Sequence, residues 1–554
     1  MNTMLTLQDI ERARHFYERG YWGSDTLYTL LRASAERAPD RFALRDSNSR
    51  VTFRAALQWV DAVAADLHQA GLRAGDRVSI WLPSRIETAL VFLACSRMGY
   101  VCNTSLHRDY TCKEIVALLE RAGSAAFFAQ SGYGADGGSS DIFSMLGALP
   151  RLKKTYRIEP LQSGLTEVDR AFGLAGLSRA EDAGIPCLHN SDRIVYLAFT
   201  SGTTGTPKGV MHSNNTILAN GRAIAKDWGF DEETIVYSLS PMSHNIGIVG
   251  LAVATVCGGE FVAHTPLDAP RMFDRIIETG ATYLLGVPTH AIDLLSELRR
   301  RGMRTLGRVN TFQLGGSPVS PTTVLGLNEI GVKTQNAFGM TENHSFQYTR
   351  PDDPLETIAS SCGRPADGME IKLWREDDCN KEVAPGEIGE LGVRGASLML
   401  GYFDDQTATE LSFNADGWFM TGDLARWDAH GNLQIAGRKK DLIIRGGHNI
   451  YPVRIEDYAM RHGEVAKAAV FPVTDERLGE LVCLAVIQRP GAAPSAMELL
   501  RHLNEQGLSK YDMPEFFLAL GNFPLTASGK VLKRRLVEMV AQGLLKPQPV
   551  RWQG

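Results

Sequence analysis

The residues that most restrict this chain are those from 200 to 209, Thr-Ser-Gly-Thr-Thr-Gly-Thr-Pro-Lys-Gly, set directly behind the apolar run Ile194-Val195-Tyr196-Leu197-Ala198-Phe199. A short continuous apolar run reads as a buried strand. The segment behind it is too polar for a core, being made of glycines, hydroxyls and one ammonium. Glycine lets a backbone approach a ligand closely, and exposed N–H groups beside hydroxyl donors suit the oxygens of a polyphosphate. A plain Ser/Thr-rich turn is the alternative. The phosphate loop of kinases and GTPases, G-x-x-x-x-G-K-[ST] with a helix opening at its lysine, is excluded, because Lys208 stands between Pro207 and Gly209.

Upstream of this loop, helix and strand signals alternate. Leu57, Val60, Val63 and Leu67 recur at helical spacing, and the pattern stops at Gly71. Gly75-Asp76 then turns the chain into a short strand, Arg77 to Leu82, closed by Pro83. A helix running to Gly99, a strand at residues 125–128, and strands at 194–199 and 283–287 continue the series. Residues 132–140, Gly-Tyr-Gly-Ala-Asp-Gly-Gly-Ser-Ser, read as a surface loop. Such alternation favours a parallel sheet covered by helices on both faces. Beyond residue 370 the texture changes to short strands such as Glu390–Arg394 between Gly-rich turns. A charged junction, Gly437-Arg438-Lys439-Lys440-Asp441, precedes a last segment with helices and strands of its own. The expected fold is therefore α/β. A large N-terminal domain over 1–437 combines helix-packed parallel sheets with a small antiparallel, barrel-like layer, and a small α+β domain covers 438–554.

The bulk numbers exclude several classes. Lys+Arg 58 against Asp+Glu 63 leaves no basic excess for nucleic acid or an anionic membrane. The eight cysteines are scattered with no Cys-x-x-Cys pair, which argues against a zinc site or disulfide framework and fits a reducing cytosol. The opening residues carry acids and no continuous apolar core, so no secretory signal is expected. No apolar stretch approaches the ~18 residues of a membrane span. Cytoplasmic residence follows as the expectation.

The loop at 200–209 resembles the signature of the adenylate-forming superfamily of acyl-CoA synthetases, peptide-synthetase adenylation domains and luciferases. Further segments resemble its other signatures, in order. They are Pro241-Met242-Ser243-His244-Asn245-Ile246-Gly247, Asn336-Ala337-Phe338-Gly339-Met340-Thr341-Glu342 and Gly417-Trp418-Phe419-Met420-Thr421-Gly422-Asp423, then residues 437–441, 445–452 and 524–530. The overall texture, with the segment Tyr17–Trp22, is most similar to cyclohexanecarboxylate–CoA ligases.

The resemblance implies an ATP-dependent carboxylic acid:CoA ligase that forms an acyl-adenylate and then a thioester. It implies ATP, Mg²⁺ and CoA as participants, and an alicyclic, aromatic or medium-chain acid as small-molecule partner. A homodimer is left open. Charging of a carrier protein and a non-catalytic nucleotide-binding regulator are the alternatives. The residues implied for ATP are Thr200, Ser201, Gly202, Thr203, Thr204, Gly205, Thr206 and Lys208, with Gly315, Gly316, Ser317, Asn336, Ala337, Phe338 and Gly339 around the base. Thr341 falls to the α-phosphate, Glu342 to Mg²⁺, and Asp423 and Arg438 to the rest of the nucleotide. Lys530 falls to the carboxylate and ribose-phosphate bridge, where an ammonium offsets repulsion between two anions. Thr341, Glu342, Lys530 and His244 are thus the catalytic candidates. His244, Asn245, Ile246, Val287 and Gly315 are implied for the acyl pocket, Lys440 as a hinge of a mobile C-terminal domain, and Arg445, Gly446, Gly447 and His448 for CoA. Taken singly, several have plainer readings: a core Phe338, a structural His244, a helix N-terminus at Thr341-Glu342, a solvated basic face at Lys530.

Overall fold

The computed structural model describes residues 6–7, 9–161, 168–179, 184–185, 187–200, 207–265, 269–489, 491–525 and 531–552. Two sheets carry the N-terminal part. In the larger, the strands run in the order Arg364–Pro365, His344–Tyr348, Lys333–Met340, Thr311–Leu314, Tyr283–Gly286, Ile235–Ser238, Glu260–Ala263, Phe42–Arg45, Arg50–Thr52. Pairing is parallel from Lys333–Met340 to Phe42–Arg45 and antiparallel at both edges. The second sheet is ordered Lys154–Ile158, Ser124–Gln130, Arg77–Trp81, Val101–Asn103, Ile194–Thr200, Lys208–Ser213, with only the last strand antiparallel.

Two helices, Ile86–Met98 and Asn245–Cys257, form the interior between these sheets. Every residue of the first is buried, and the second is buried from Gly247 to Ala254. A helix covered all round carries no solvent-facing polar stripe, and the charges that the first one buries are paired, Glu87 with Arg85 and Arg97 with Asp61. One apolar cluster includes Leu90, Leu93, Leu251 and Val253 of these helices with Val78, Tyr196, Val236 and Phe261 of both sheets, so the two layers share a core.

Strand order fixes where a ligand can enter. Glu260–Ala263 lies on one side of Ile235–Ser238, and the next strand in sequence, Tyr283–Gly286, lies on the other. Open α/β sheets bind ligands outside the carboxyl ends of strands at such a reversal. The loops leaving those ends carry Pro241–His244, Val287 and Gly315.

Residues 369–438 form the antiparallel layer, Met369–Trp374, Gly389–Gly395, Phe419–Trp427 and Leu433–Arg438. A 3₁₀ turn, Lys439–Asp441, leads to a last sheet built around the long hairpin of Val465–Asp475 and Gly479–Gln488. That sheet buries its own side chains, Val470, Leu484, Leu499 and Leu503 on one face, Phe471, Cys483 and Leu536 on the other. The architecture is α/β, with a large N-terminal domain and a smaller C-terminal one. Among the described residues no helix is long and apolar enough to cross a membrane.

Candidate active site

The strand Ile194–Thr200 returns as Lys208–Ser213, with Thr200 opposite Lys208 and its hydroxyl 3.4 Å from the Lys208 carbonyl. Lys208, expected within the loop, opens the return strand, because Val210 and Met211 are buried and draw the chain straight back into the sheet. A strand at this lysine, where a kinase-type loop would start a helix, agrees with the exclusion above. Arg121 donates to the Pro207 carbonyl, and its guanidinium lies 5.4 Å over the Phe199 ring. Ser201, Gly202, Thr203, Thr204, Gly205 and Thr206 lie outside the described residues.

Thr341 and Glu342 occupy the tight turn between Lys333–Met340 and His344–Tyr348, not a helix N-terminus. Gly339 is obligatory there, since a Cβ would sit 1.8 Å from the His344 carbonyl. His344 closes the turn at φ +57°, which an L side chain rarely adopts, and the Met340 N–H donates to Asn343 Oδ1 at 3.1 Å.

The residues at 399–403 tie this turn to the hairpin. Met399 N–H donates to the Glu342 carbonyl at 2.7 Å, Leu400 N–H to Met211 at 2.9 Å, and Phe403 N–H to Gly209 at 2.6 Å. Tyr402 thereby stands between the two. Its hydroxyl donates to Glu342 Oε1 at 2.9 Å, and the Lys208 ammonium lies 4.6 Å from its ring centroid. Burial holds the Glu342 carboxyl above the usual carboxylate range, against its own N–H, the Tyr402 hydroxyl and the charges of Lys208 and Arg438. His212, on the return strand, donates through Nε2 to the Thr341 carbonyl at 2.7 Å. Burial pushes its pKa down to about 4, so the ring is neutral.

Around this centre, Gly315 leaves the end of Thr311–Leu314 so close to its neighbour that a Cβ would meet the Ala337 carbonyl at 3.0 Å. Gly316 follows at φ +80°, and Ser317 is exposed. Asn336 donates its side-chain amide to the carbonyls of Ile358 and Ser361 at 3.0 and 2.9 Å, bracing the wall from behind. Phe338 is half-buried with its ring edge-on to Phe346 at 5.8 Å. Asp423, buried, faces Arg438 across two antiparallel strands, and Arg438 Nε donates to Asp423 Oδ1 at 2.9 Å.

At the crevice, His244 caps the helix Asn245–Cys257, its ring stacked on His107 with centroids 4.3 Å apart. Asn245 donates to the Met340 carbonyl at 3.4 Å and shares a 2.9 Å bond with His344 Nδ1. Ile246 and Val287 are half-buried nearby, and Val287 N–H donates to His290 Nδ1 at 3.3 Å.

The C-terminal candidates form a separate group. Lys440 is exposed in the turn Lys439–Asp441, whose Lys439 bonds Glu390 at 2.8 Å. Arg445 donates to Glu515 and His448 pairs with Asp512 at 2.8 Å, both within the C-terminal unit. Gly446 at φ +56° and Gly447 at φ +87° form the two-residue hairpin turn between Ile443–Arg445, whose Arg445 also pairs with Gly479, and His448–Ile450, a geometry that demands positive φ at both positions. That turn explains these glycines without reference to a ligand. Lys530 lies outside the described residues, as do residues 526–529; Leu525 and Val531 pair in an antiparallel bridge.

The sequence matches the AMP-binding enzyme family over residues 31–403 and the AMP-binding enzyme C-terminal domain over residues 454–530. The chain belongs to the AMP-binding enzymes. It is similar to medium-chain fatty-acid–CoA ligase of Escherichia coli, at 29% identity over 96% of this chain and 93% of that one. It is 30% identical to 2,3-dihydroxybenzoate-AMP ligase of Bacillus subtilis, over 97% of each. ATP-bound MatB from Rhodopseudomonas palustris superposes with a TM-score of 0.81 at 25% identity, covering 94% of this chain and 100% of that one. These likenesses make it an enzyme of the AMP-forming acid–thiol ligase kind.

Three side chains of this AMP-binding enzyme escape sequence reasoning. Tyr402 sits in Leu400-Gly401-Tyr402-Phe403, which reads as core. His212 is one polar position on a strand, and His107 one residue of a connecting loop. Each is recognised only by what it touches.

Proposed function

We propose that the enzyme is an ATP-dependent carboxylic acid:CoA ligase acting through an acyl-adenylate. The observation that carries this reading is the placement of Lys208, Tyr402 and Glu342 in one contiguous group at the root of the Thr200 loop. An ammonium and loop donors on one side and a carboxylate on the other suit a polyphosphate and its counter-ion. In the first half-reaction the acid's carboxylate attacks the α-phosphorus and pyrophosphate leaves. The two anions are brought together by fixed donors and cations. Lys208 and the loop hold the β- and γ-phosphates, Thr341 the α-phosphate, and Asp423 with Arg438 the ribose end. Phe338 and the loop Gly315–Ser317 enclose the base.

Glu342 fits Mg²⁺. It is a hard oxygen donor oriented by Tyr402, and no cluster of three potential metal-binding side chains occurs among the described residues. Mg²⁺ keeps most of its shell for water and phosphate oxygens, so one protein carboxylate is a sufficient anchor. When bound it neutralises phosphate charge.

A division near residues 437 and 438 would let the C-terminal domain move about Lys440, presenting Lys530 for adenylation and the Arg445–His448 hairpin for thioester formation. The acid lies against His244, Asn245, Ile246, Val287 and Gly315. Its class is an alicyclic, aromatic or medium-chain carboxylate, supported by half-buried apolar walls and by relatives named for medium-chain fatty acids and 2,3-dihydroxybenzoate. Eight free cysteines agree with residence in a reducing cytoplasm.

The test is pyrophosphate release across a panel of carboxylates, with and without CoA. Acid-dependent release without CoA and thioester only with CoA support the ligase. Adenylation without a CoA thioester turns the reading toward a carrier-protein acceptor, and nucleotide binding without turnover overturns it.

A further inference from the structure

The loop that presents His244 belongs to the larger sheet, yet the groups fixing it come from the second. Met242 N–H donates to Ser84 Oγ at 3.2 Å, and Ser84 follows the strand Arg77–Trp81. His107, in the loop after Val101–Asn103, bonds Ser243 Oγ through Nδ1 at 3.2 Å and lays its ring on that of His244 with an interplanar angle of 22°. His107 is itself held, since Trp81 Nε1 donates to its carbonyl at 3.0 Å.

The backbone of His244 is set by its own helix: Gly247 N–H donates to the His244 carbonyl at 3.0 Å, and His244 N–H to Pro241 at 2.9 Å. Gly247 permits this, for a Cβ there would lie 2.7 Å from the Pro241 carbonyl. These bonds leave the ring torsions of His244 undetermined. The flat contact with His107 restricts them. Enclosure by protein pushes the His107 pKa down to about 4, so its ring is neutral and stacks without charge repulsion.

We propose that His107 is a positioning residue for the acid half-reaction, holding the His244 ring across the mouth of the acyl pocket by stacking on it and by bonding Ser243. This rests on the reading of His244 given under Proposed function. In this role His107 acts through His244.

The experiment is a double-mutant cycle on the full-length enzyme, read by acid-dependent pyrophosphate release. His107→Ala is expected to lower kcat/KM for the carboxylate roughly ten- to a hundredfold, the scale of a misplaced reactive group, with KM for ATP unchanged. His107→Phe keeps a stacking ring and recovers most of that loss. Added to His244→Ala, His107→Ala costs no more than about twofold, as coupled contacts require. An equal loss in both backgrounds, a matching change in KM for ATP, or no loss at all overturns the proposal. The unfolding midpoint of each variant separates misfolding from misplacement, and His107→Phe remains informative where His107→Ala does not fold. If the unaltered enzyme activates no acid, the ligase reading fails separately. The proposal is then read from the His244 ring resonances in histidine-labelled protein, which must shift on His107→Phe and on His107→Ala; unchanged resonances overturn it.

Discussion

The Tyr402 hydroxyl donates to Glu342 Oε1 at 2.9 Å, from a ring that also carries the Lys208 ammonium 4.6 Å from its centroid. One aromatic side chain therefore orients the metal-binding candidate and seats the phosphate-binding one. Removing the hydroxyl alone separates these tasks. Tyr402→Phe is expected to leave the ring and Lys208 in place, raise the Mg²⁺ concentration needed for half-maximal adenylation, and lower kcat/KM for ATP about tenfold, the scale of one hydrogen bond to a charged group. Initial rates over a Mg²⁺ titration check it.

Glu342 is held at a cost to the fold. Its pKa is raised chiefly by burial, so the folded state resists its charge and stability is gained as pH falls and the carboxyl takes its proton. Glu342→Gln, which still accepts from Tyr402, is expected to raise the unfolding temperature at pH 7.5 while cutting adenylation at least about a hundredfold. The stability difference narrows as the buffer is taken toward pH 5. A variant less stable at pH 7.5 contradicts the assignment of burial as the dominant effect.

Five histidines push stability the other way. His107, His212 and His290 are lowered to about 4 and His264 to about 3, while His344 is also lowered, in every case chiefly by burial. For His107, His212 and His290, the unfolded chain binds protons near pH 6.5 that the folded chain refuses until about pH 4. Their contribution is therefore complete above 6.5 and lost through that window, at about 1.4 kcal/mol per pH unit for each proton. His212→Gln should flatten the fall in unfolding free energy between pH 6.5 and 4.5 by about one proton. Urea unfolding at a series of pH values reads the slope, and an unaltered slope refutes the neutral His212.

What the sequence makes legible follows from which interactions are local. The Thr200 loop declares itself because glycines and hydroxyls behind a buried strand serve no packing purpose. Residue type alone leaves a helix start open at the turn holding Glu342, since Thr-Glu suits one. Gly339 excludes that start by lying against the His344 carbonyl, a contact made across the hairpin. Tyr402 stays hidden because its role depends on the bridge between Val210 and Tyr402, nearly two hundred positions apart. Asp423 and Arg438 are legible as separate motif residues, but their pairing is a matter of register between strands. The helix Ile86–Met98 is legible as a helix ending at Gly99, though burial on every side, its polar Glu87 and Arg97 included, erases the periodicity that would give its orientation.

The hairpin at Gly446–Gly447 distinguishes turn geometry from ligand access. Gly447 has φ +87° with open space where a Cβ would stand, so Gly447→Ala meets backbone strain of about 1–2 kcal/mol and no collision. If the hairpin borders the path of the CoA thiol, this variant adenylates normally and forms thioester from preformed adenylate several-fold more slowly. Unchanged rates in both steps would mean that the glycine serves the turn alone.

Lys530 gives the widest separation between the two half-reactions. Adenylation brings a carboxylate against a polyphosphate, and an ammonium at that junction offsets the repulsion. Thioester formation starts from an adenylate whose carboxylate charge is gone, so the same ammonium has little left to neutralise. Lys530→Ala is therefore expected to reduce acid-dependent pyrophosphate release by about a hundredfold or more, while CoA attack on synthetic acyl-adenylate keeps most of its rate. Arg438→Ala provides the contrast: if Arg438 and its partner Asp423 hold the nucleotide in both steps, as proposed, the two rates fall together. Equal losses in both steps for Lys530→Ala would show that the lysine holds the nucleotide throughout, and that no exchange of C-terminal poses is needed between the half-reactions.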